Sequence, residues 1–125
     1  MTWWTVLTEL VAWTLGRRQR LRVQGESMTP TLWPGDFVLV HWQPMPPAHA
    51  AEDWVGAVVV AHHSDVSTDL IKRVGGVVGD DGVILLSDNP EAGTDSRQWG
   101  PFPHSAIRGR VVLILSEPRR SLLAR

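Results

Sequence analysis

The sequence predicts a mainly β fold, namely a small, twisted and partly closed β-barrel preceded by one short N-terminal helix. Short runs of branched and aromatic residues alternate with turns rich in glycine and proline, and only the first segment has the pattern of a helix. With 125 residues, of which 43% are hydrophobic, the chain is long enough for one domain with a real core. We divide it into a helix at 1–18, a β domain at 19–116 and a tail at 117–125.

The first segment, WWTVLTELVAWTL at residues 3–15, is apolar and rich in tryptophan. It is shorter than the about 20 apolar residues that cross a bilayer, and it contains Glu9. It lacks the charged start and the cleavage site of a secretory signal, and the arginines that follow it favour retention in the cytoplasm. We interpret it as an amphipathic helix that docks on its own domain or on a partner, with an in-plane membrane anchor as the alternative. The expected location is cytoplasmic, with or without peripheral membrane contact through residues 3–15.

The β domain contains runs that are typical of strands, and two long segments that are not. The run at 54–62 is apolar enough to be buried on both faces, and the run at 69–80 begins as a strand and ends in a glycine-rich turn. QPMPPAHAAED (43–53) is predicted to be a surface loop, and the 18 residues at 88–105 a long loop of the kind that is usually functional or disordered. The predicted strands are RLRVQG (20–25, weak), DFVLVHW (36–42), WVGAVVVAH (54–62), DLIKRVGGVVGD (69–80), DGVILLS (81–87) and IRGRVVLIL (107–115).

Composition excludes several classes of function. The formal net charge of -1 gives no sign of a nucleic-acid binder held by bulk charge. The absence of cysteine excludes disulfides, thiol catalysis and cysteine-based metal sites. Adjacent His62 and His63 on a strand would point to opposite faces, so we do not expect them to share a metal ion. His41, His49 and His104 are interpreted as ordinary surface or loop residues, and no cofactor or metal is expected.

Ser27 and Lys72 are the candidates for chemistry. Ser27 lies in VQGESMTPTLWPGD (23–36), whose composition is unusual for a generic loop. Eleven of the twelve basic residues are arginine, and Lys72 is the only lysine. A lysine in apolar surroundings can lose its proton, whereas arginine does not, so Lys72 fits a general base that activates a serine hydroxyl. A bias of base composition toward arginine is the alternative explanation of the single lysine.

Three separated stretches, GESMTPTLWPGD, IKRVGGVVGD and SDNPEAGTDSRQWGPFP, occur in the order in which the type I signal peptidase family has them, and they resemble that family. The resemblance covers roughly residues 20–115 and implies that 19–116 is a catalytic domain of a serine endopeptidase on a β-rich fold. It implies that Ser27 is the nucleophile, with its backbone N–H donating to the oxyanion, and that Lys72 is the general base.

The same resemblance implies supporting roles for several neighbours. Met28 and Pro30 would shape the turn that presents Ser27. Asp95 and Arg97 would form an ion pair that supports the site, with Ser96 between them, although a plain surface pair is the alternative.

The sequence departs from the family at two positions near these residues. Gly25 stands where some members have a serine that contributes to the oxyanion hole, so the hole would rely on backbone donors. Gly93 stands where many members have a serine that hydrogen-bonds the base, and Thr94 beside it is the candidate substitute.

The short chain and the form of its third motif resemble most the maturation proteases of nickel-type superoxide dismutase. That resemblance implies removal of a short N-terminal leader from the dismutase precursor, by an enzyme that needs no metal itself and binds no nucleic acid. The main alternative is a membrane-associated leader peptidase of exported proteins, anchored by residues 3–15. A self-cleaving peptidase of the SOS-repressor type is disfavoured because only 26 residues precede Ser27. A barrel that only binds extended peptides is disfavoured because it would need neither Ser27 nor Lys72.

Overall fold

Seven antiparallel strands form one curled half-barrel sheet within residues 2–116, the part of the chain that this computed structural model describes. Their order across the sheet is β1-β2-β7-β3-β4-β5-β6. One short helix, α1 (Trp3–Thr14), precedes the sheet, so the predicted mainly β fold class is confirmed. The strands are β1 (Gln19–Arg22), β2 (Phe37–Trp42), β3 (Val58–Ala61), β4 (Leu70–Val78), β5 (Gly82–Leu86), β6 (Phe102–Pro103) and β7 (Ile107–Leu115).

Helix α1 has a defined start and a defined end. The Thr2 hydroxyl accepts a hydrogen bond from the backbone N–H of Thr5 at 3.0 Å, which satisfies one of the free donors of the first turn. After the last turn Gly16 adopts a φ of 78°, a left-handed conformation that glycine takes without strain. Among residues 2–116, no helix has the length and apolar character needed to cross a membrane.

Two apolar clusters form the core, one on each side of the central strand β3. Val59 belongs to one cluster and Val60 to the other, as expected for neighbouring residues of a strand that is buried on both faces. The second cluster also contains Met28 and Leu32, which come from the connection between β1 and β2 rather than from a strand. The segment that carries Ser27 is therefore held by the core itself.

The sequence placed several element boundaries wrongly. Segment 43–53 is not only a loop, because it contains the short helix α2 (Ala48–Ala51) and leads into a 3-10 helix at Glu52–Trp54. The strand expected at 54–62 is only Val58–Ala61, since the buried Trp54 ring packs into the core from the 3-10 turn. Strand β4 runs through its two glycines to Val78, because a register shift between Val74 and Gly76 lets its pairing with β5 continue.

The segment at 88–105 is also more ordered than a long loop. It contains 3-10 helices at Pro90–Ala92 and His104–Ala106, the four-residue helix α3 (Ser96–Trp99) and strand β6. Asp95 and Gln98 form a reciprocal capping box at the start of α3, which fixes a helix too short to show a periodic apolar pattern. The expected tail at 117–125 lies outside the described residues.

Candidate active site

Ser27 lies in a tight turn between β1 and β2. Gly25, two residues earlier, has a φ of 74°, a conformation that favours glycine and lets the chain turn toward Ser27. Met28 is 2% exposed, and the backbone N–H of Leu32 donates to the Met28 carbonyl at 2.9 Å. Asn89 N–H donates to the Ser27 carbonyl oxygen at 2.8 Å, so the turn is fixed from both sides while the Ser27 side chain stays half-buried.

Lys72 is a buried lysine on strand β4, with 3% of its surface exposed. It pairs with Val59 of β3, and its Nζ donates a hydrogen bond to the hydroxyl of Ser87 at 2.9 Å. Burial lowers the pKa of the Lys72 amine below its ordinary value of 10.5, because the charged form loses hydration, while the charge of Asp95 raises it to a smaller extent. At a given pH, a larger fraction of the Lys72 side chain is therefore in the neutral amine form than for an exposed lysine.

Gly93 shows how closely Ser27, Lys72 and Ser87 approach one another. A Cβ atom placed on Gly93 would lie 2.6 Å from Ser27 Cβ, 2.8 Å from Ser87 Oγ and 3.2 Å from Lys72 Nζ. The three side chains therefore surround one small space that a glycine leaves free. No hydrogen bond joins Ser27 Oγ directly to Lys72 Nζ within residues 2–116, and such bonds between catalytic groups are often long before a substrate binds.

Asp95 is a fully buried carboxylate that fixes the end of β5 against α3. Its Oδ2 accepts from the backbone N–H of Ser87 at 2.7 Å and from Arg97 Nη1 at 3.1 Å, and its Oδ1 accepts from Arg97 N–H at 2.9 Å. Burial raises the pKa of Asp95, but the two N–H donors and the charges of Arg97 and Lys72 outweigh it and hold the pKa below its usual value. The neighbouring Ser96 hydroxyl accepts from Leu85 N–H at 2.9 Å, so it too holds β5 in place.

A second network, formed by Arg73, Asp88 and Thr31, joins β4 to the Ser27 turn. The sequence did not predict a role for these three residues. Arg73 Nε and Nη2 donate to the two oxygens of Asp88 at 2.8 and 2.7 Å, a bidentate ion pair. Thr31 of the Ser27 turn donates to Asp88 Oδ2 at 2.6 Å. The hydrogen bond from Arg73, with that from Thr31, lowers the pKa of Asp88 despite its partial burial. The sequence signals were that Arg73 lies in the second of the three motifs, and that three polar residues, Ser87 to Asn89, open the third directly after a buried strand.

The remaining predicted site residues are Pro30 and Thr94, and Thr94 does not make the predicted contact with Lys72. Pro30 is exposed and follows a cis peptide bond from Thr29. Thr94 is also exposed, and within residues 2–116 it makes no hydrogen bond to Lys72, whose partner is Ser87. The sequence did not identify Ser87 as this partner.

Two cavities flank Ser27 and Lys72, and both of these residues line each of them. The first cavity, about 270 Å³, is bounded by residues 21–24 and 68–72 and has Met28 in its wall. The second, about 260 Å³, is bounded by residues 92–94 and by Trp99. Ser27 and Lys72 thus lie where two parts of a cleft meet. Within the described part of the chain, no group of three or more histidine, aspartate or glutamate side chains is arranged to hold a metal ion.

The stability of the protein should depend on the ionisation of Lys72. The unfolded chain binds the lysine proton with the ordinary pKa of 10.5, whereas the folded chain binds it more weakly, so burial costs stability below that pH. We expect the stability of Lys72→Met minus that of the wild type to fall as pH rises from about 7 through 10.5, and to approach its full fall of about 1.4 kcal/mol per unit by which the pKa is lowered only above that pH. Urea unfolding at several pH values measures this, with Ile71→Met as the neutral control. A difference that stays constant with pH would contradict the lowered pKa.

A comparison with protein families matches part of the chain to a family model. The family model described as signal peptidase, peptidase S26, matches residues 3–83, more than half of the chain. The match includes Ser27 and Lys72 and ends before Ser87 and the segment with Asp95. A search of curated proteins gave no match. The chain therefore belongs to the signal peptidase family, peptidase S26, a family of peptide-bond hydrolases that act on precursor proteins.

Proposed function

We propose that the protein is a serine endopeptidase with a Ser27–Lys72 dyad that removes a short N-terminal leader, and that its substrate is the precursor of a nickel superoxide dismutase. The observation that carries the dyad is the meeting of the buried Lys72 amine and the Ser27 side chain around Gly93. A buried amine with a lowered pKa is the group that such a dyad needs, because a protonated lysine cannot accept the serine proton.

In the proposed mechanism the neutral Lys72 amine takes the proton of Ser27 Oγ as that oxygen attacks the scissile carbonyl carbon. The resulting ammonium then protonates the leaving amine, and the acyl group stays on Ser27. Lys72, neutral again, deprotonates the water that hydrolyses this ester. The backbone N–H of Ser27 donates to no other group within residues 2–116, so it is free to stabilise the oxyanion.

The first cavity suggests how a peptide would bind. Its walls include the end of β1 with the two residues after it and the start of β4 with the two residues before it, which lead to Ser27 and Lys72. An extended leader would pair with these backbones, a mode in which main-chain hydrogen bonds give affinity and pockets for alternate side chains give specificity. The assignment to a nickel superoxide dismutase precursor rests on the resemblance of the third motif. In that substrate, cleavage exposes the N-terminus that supplies the nickel ligands, and the peptidase, proposed to be cytoplasmic, holds no metal itself.

The substrate is tested by incubating the purified protein with a nickel superoxide dismutase precursor and measuring intact masses. We expect cleavage at one bond that exposes the nickel-binding end, and its loss in Ser27→Ala and in Lys72→Met. Ser64→Ala, a change at an exposed serine, is the matched control and should cleave as the wild type does. Loss in Ser27→Ala with full activity in Lys72→Met would refute the dyad. Cleavage of an exported protein's leader in detergent, but not of this precursor, would establish the leader-peptidase alternative.

The pH dependence tests the state of Lys72 independently of the substrate's identity. Because the dyad needs the neutral amine, kcat/KM should rise with pH along a single ionisation and level off below the ordinary lysine pKa of 10.5. Steady-state rates on a leader peptide between about pH 6 and 10 measure this. An acid limb centred at or above 10.5 would mean that the amine is not desolvated in the working enzyme.

We also propose that the outer face of α1 contacts an anionic membrane surface. Trp3, Trp4 and Leu15 are 79%, 75% and 61% exposed, and Leu7 and Val11 lie on the same stripe. Exposed tryptophans of an amphipathic helix are typical of residues that enter the headgroup region. The positive charge that complements an anionic surface would come from exposed arginines directly after the helix, namely Arg17, Arg20 and Arg22.

Sedimentation with vesicles tests this contact. We expect the protein to bind phosphatidylglycerol vesicles, to bind phosphatidylcholine vesicles more weakly, and to lose binding in the double change Trp3→Ser, Trp4→Ser. Val78→Ser, which removes an exposed apolar side chain far along β4, is the control and should bind as the wild type does. Equal binding by the double variant and the wild type would show that α1 does not meet the membrane.

A further inference from the structure

We infer that Ser87 is the positioning residue of Lys72. From the end of strand β5, its hydroxyl makes the hydrogen bond to the lysine that the family resemblance assigns to a serine at position 93. The inference rests on the proposed dyad and goes beyond it, because Ser87 opens the third motif but was not among the predicted site residues. Its role would be to orient the amine, not to react with the substrate.

The hydroxyl of Ser87 is held by strand pairing and by a buried carboxylate. Arg73 pairs with Leu86 across β4 and β5, which brings Lys72 and Ser87, the residues next to this pair, to the same end of the two strands. The Ser87 N–H donates to Asp95 Oδ2 at 2.7 Å, and the residue is 3% exposed. With its backbone fixed in this way, the hydroxyl accepts from Lys72 Nζ at 2.9 Å.

Gly93 leaves no space for a side chain between Ser27 and Ser87. The backbone of Gly93 is extended, with a φ of -152°, so its conformation does not require glycine. Space requires it: a Cβ at this position would lie 2.8 Å from Ser87 Oγ and 2.6 Å from Ser27 Cβ, closer than real Cβ contacts. The serine that the resemblance places at 93 therefore has no room in this chain, and the hydroxyl that accepts from Lys72 comes from Ser87.

No charged group takes the place of Ser87 as a partner of the amine. Asp95 faces Lys72 but accepts from Ser87 and Arg97, and Glu26 and Asp69 line the cavities that Lys72 also lines. Within residues 2–116, Ser87 Oγ is the hydrogen-bond acceptor of Lys72 Nζ. A single fixed N–H restricts rotation of the amine and so directs its lone pair toward Ser27.

The single lysine of the chain makes a direct test practical. Protein labelled with 15N-lysine gives one side-chain amine signal, that of Lys72, whose pKa can be followed by NMR without any substrate. The second readout is the rate at which the protein cleaves the nickel superoxide dismutase precursor, measured by intact mass. In Ser87→Ala we expect the Lys72 pKa to fall below that of the wild type, because the charged amine loses an acceptor, and the cleavage rate to fall about 10- to 100-fold. Ser105→Ala, at an exposed serine, should change neither.

The outcomes separate this inference from the proposed function. A wild-type protein that does not cleave the precursor would overturn the proposed function, and a wild-type Lys72 pKa at or above the ordinary 10.5 would overturn both. An active wild type in which Ser87→Ala leaves either the Lys72 pKa or the cleavage rate unchanged would overturn the positioning role alone. Ser87→Gly removes the same hydroxyl and should repeat the result if the alanine variant does not fold.

Discussion

The desolvation of one amine is the constraint on which the rest of this site depends. Lys72 lies on a strand buried between its neighbours, and each unit by which burial lowers its pKa costs about 1.4 kcal/mol at neutral pH. Strand β4, which carries Lys72, pairs with β3, the central strand at which the two apolar clusters meet. The packing of these clusters offsets the cost of burying the amine. A loop could not exclude water from the amine as a paired strand does.

Burial would not lower the pKa of Lys72 if the amine lay directly against a carboxylate, because an ion pair stabilises the charged form. Asp95 is close enough to raise the pKa of Lys72, yet its oxygens accept from the Ser87 N–H and from Arg97. Ser87 therefore acts on both groups: its N–H occupies the carboxylate, and its hydroxyl gives the lysine a neutral acceptor. Asp95, which fixes the end of β5, is thereby kept from pairing directly with Lys72, the proposed base.

The sequence predicted the fold class, and the proximity of Ser27 and Lys72, better than it predicted the hydrogen-bond network around them. Strand runs such as 107–115 were found because branched residues mark them, whereas α3 depends on a capping box and on contacts with β5. Thr31 and Asp88 are 57 residues apart, and Arg73 reaches Asp88 only through the register of β4 and β5, so no local pattern shows either contact. The reason for Gly93 is likewise spatial, since no local pattern shows that its missing side chain makes room for Ser87.

Adjacent residues of β4 show why lysine and arginine are not interchangeable here. Lys72 meets the neutral hydroxyl of Ser87, and Arg73 meets the carboxylate of the next residue, Asp88, in a bidentate pair. An arginine at 72 would stay charged in a buried place with a neutral acceptor, and could not take a proton. A lysine at 73 would lose the fork that holds both oxygens of Asp88, and with it the connection through Thr31 to the Ser27 turn. Each cation is thus matched to its acceptor. The amine of Lys72 can lose its proton beside a neutral hydroxyl, whereas Arg73 stays charged and holds Asp88 in place.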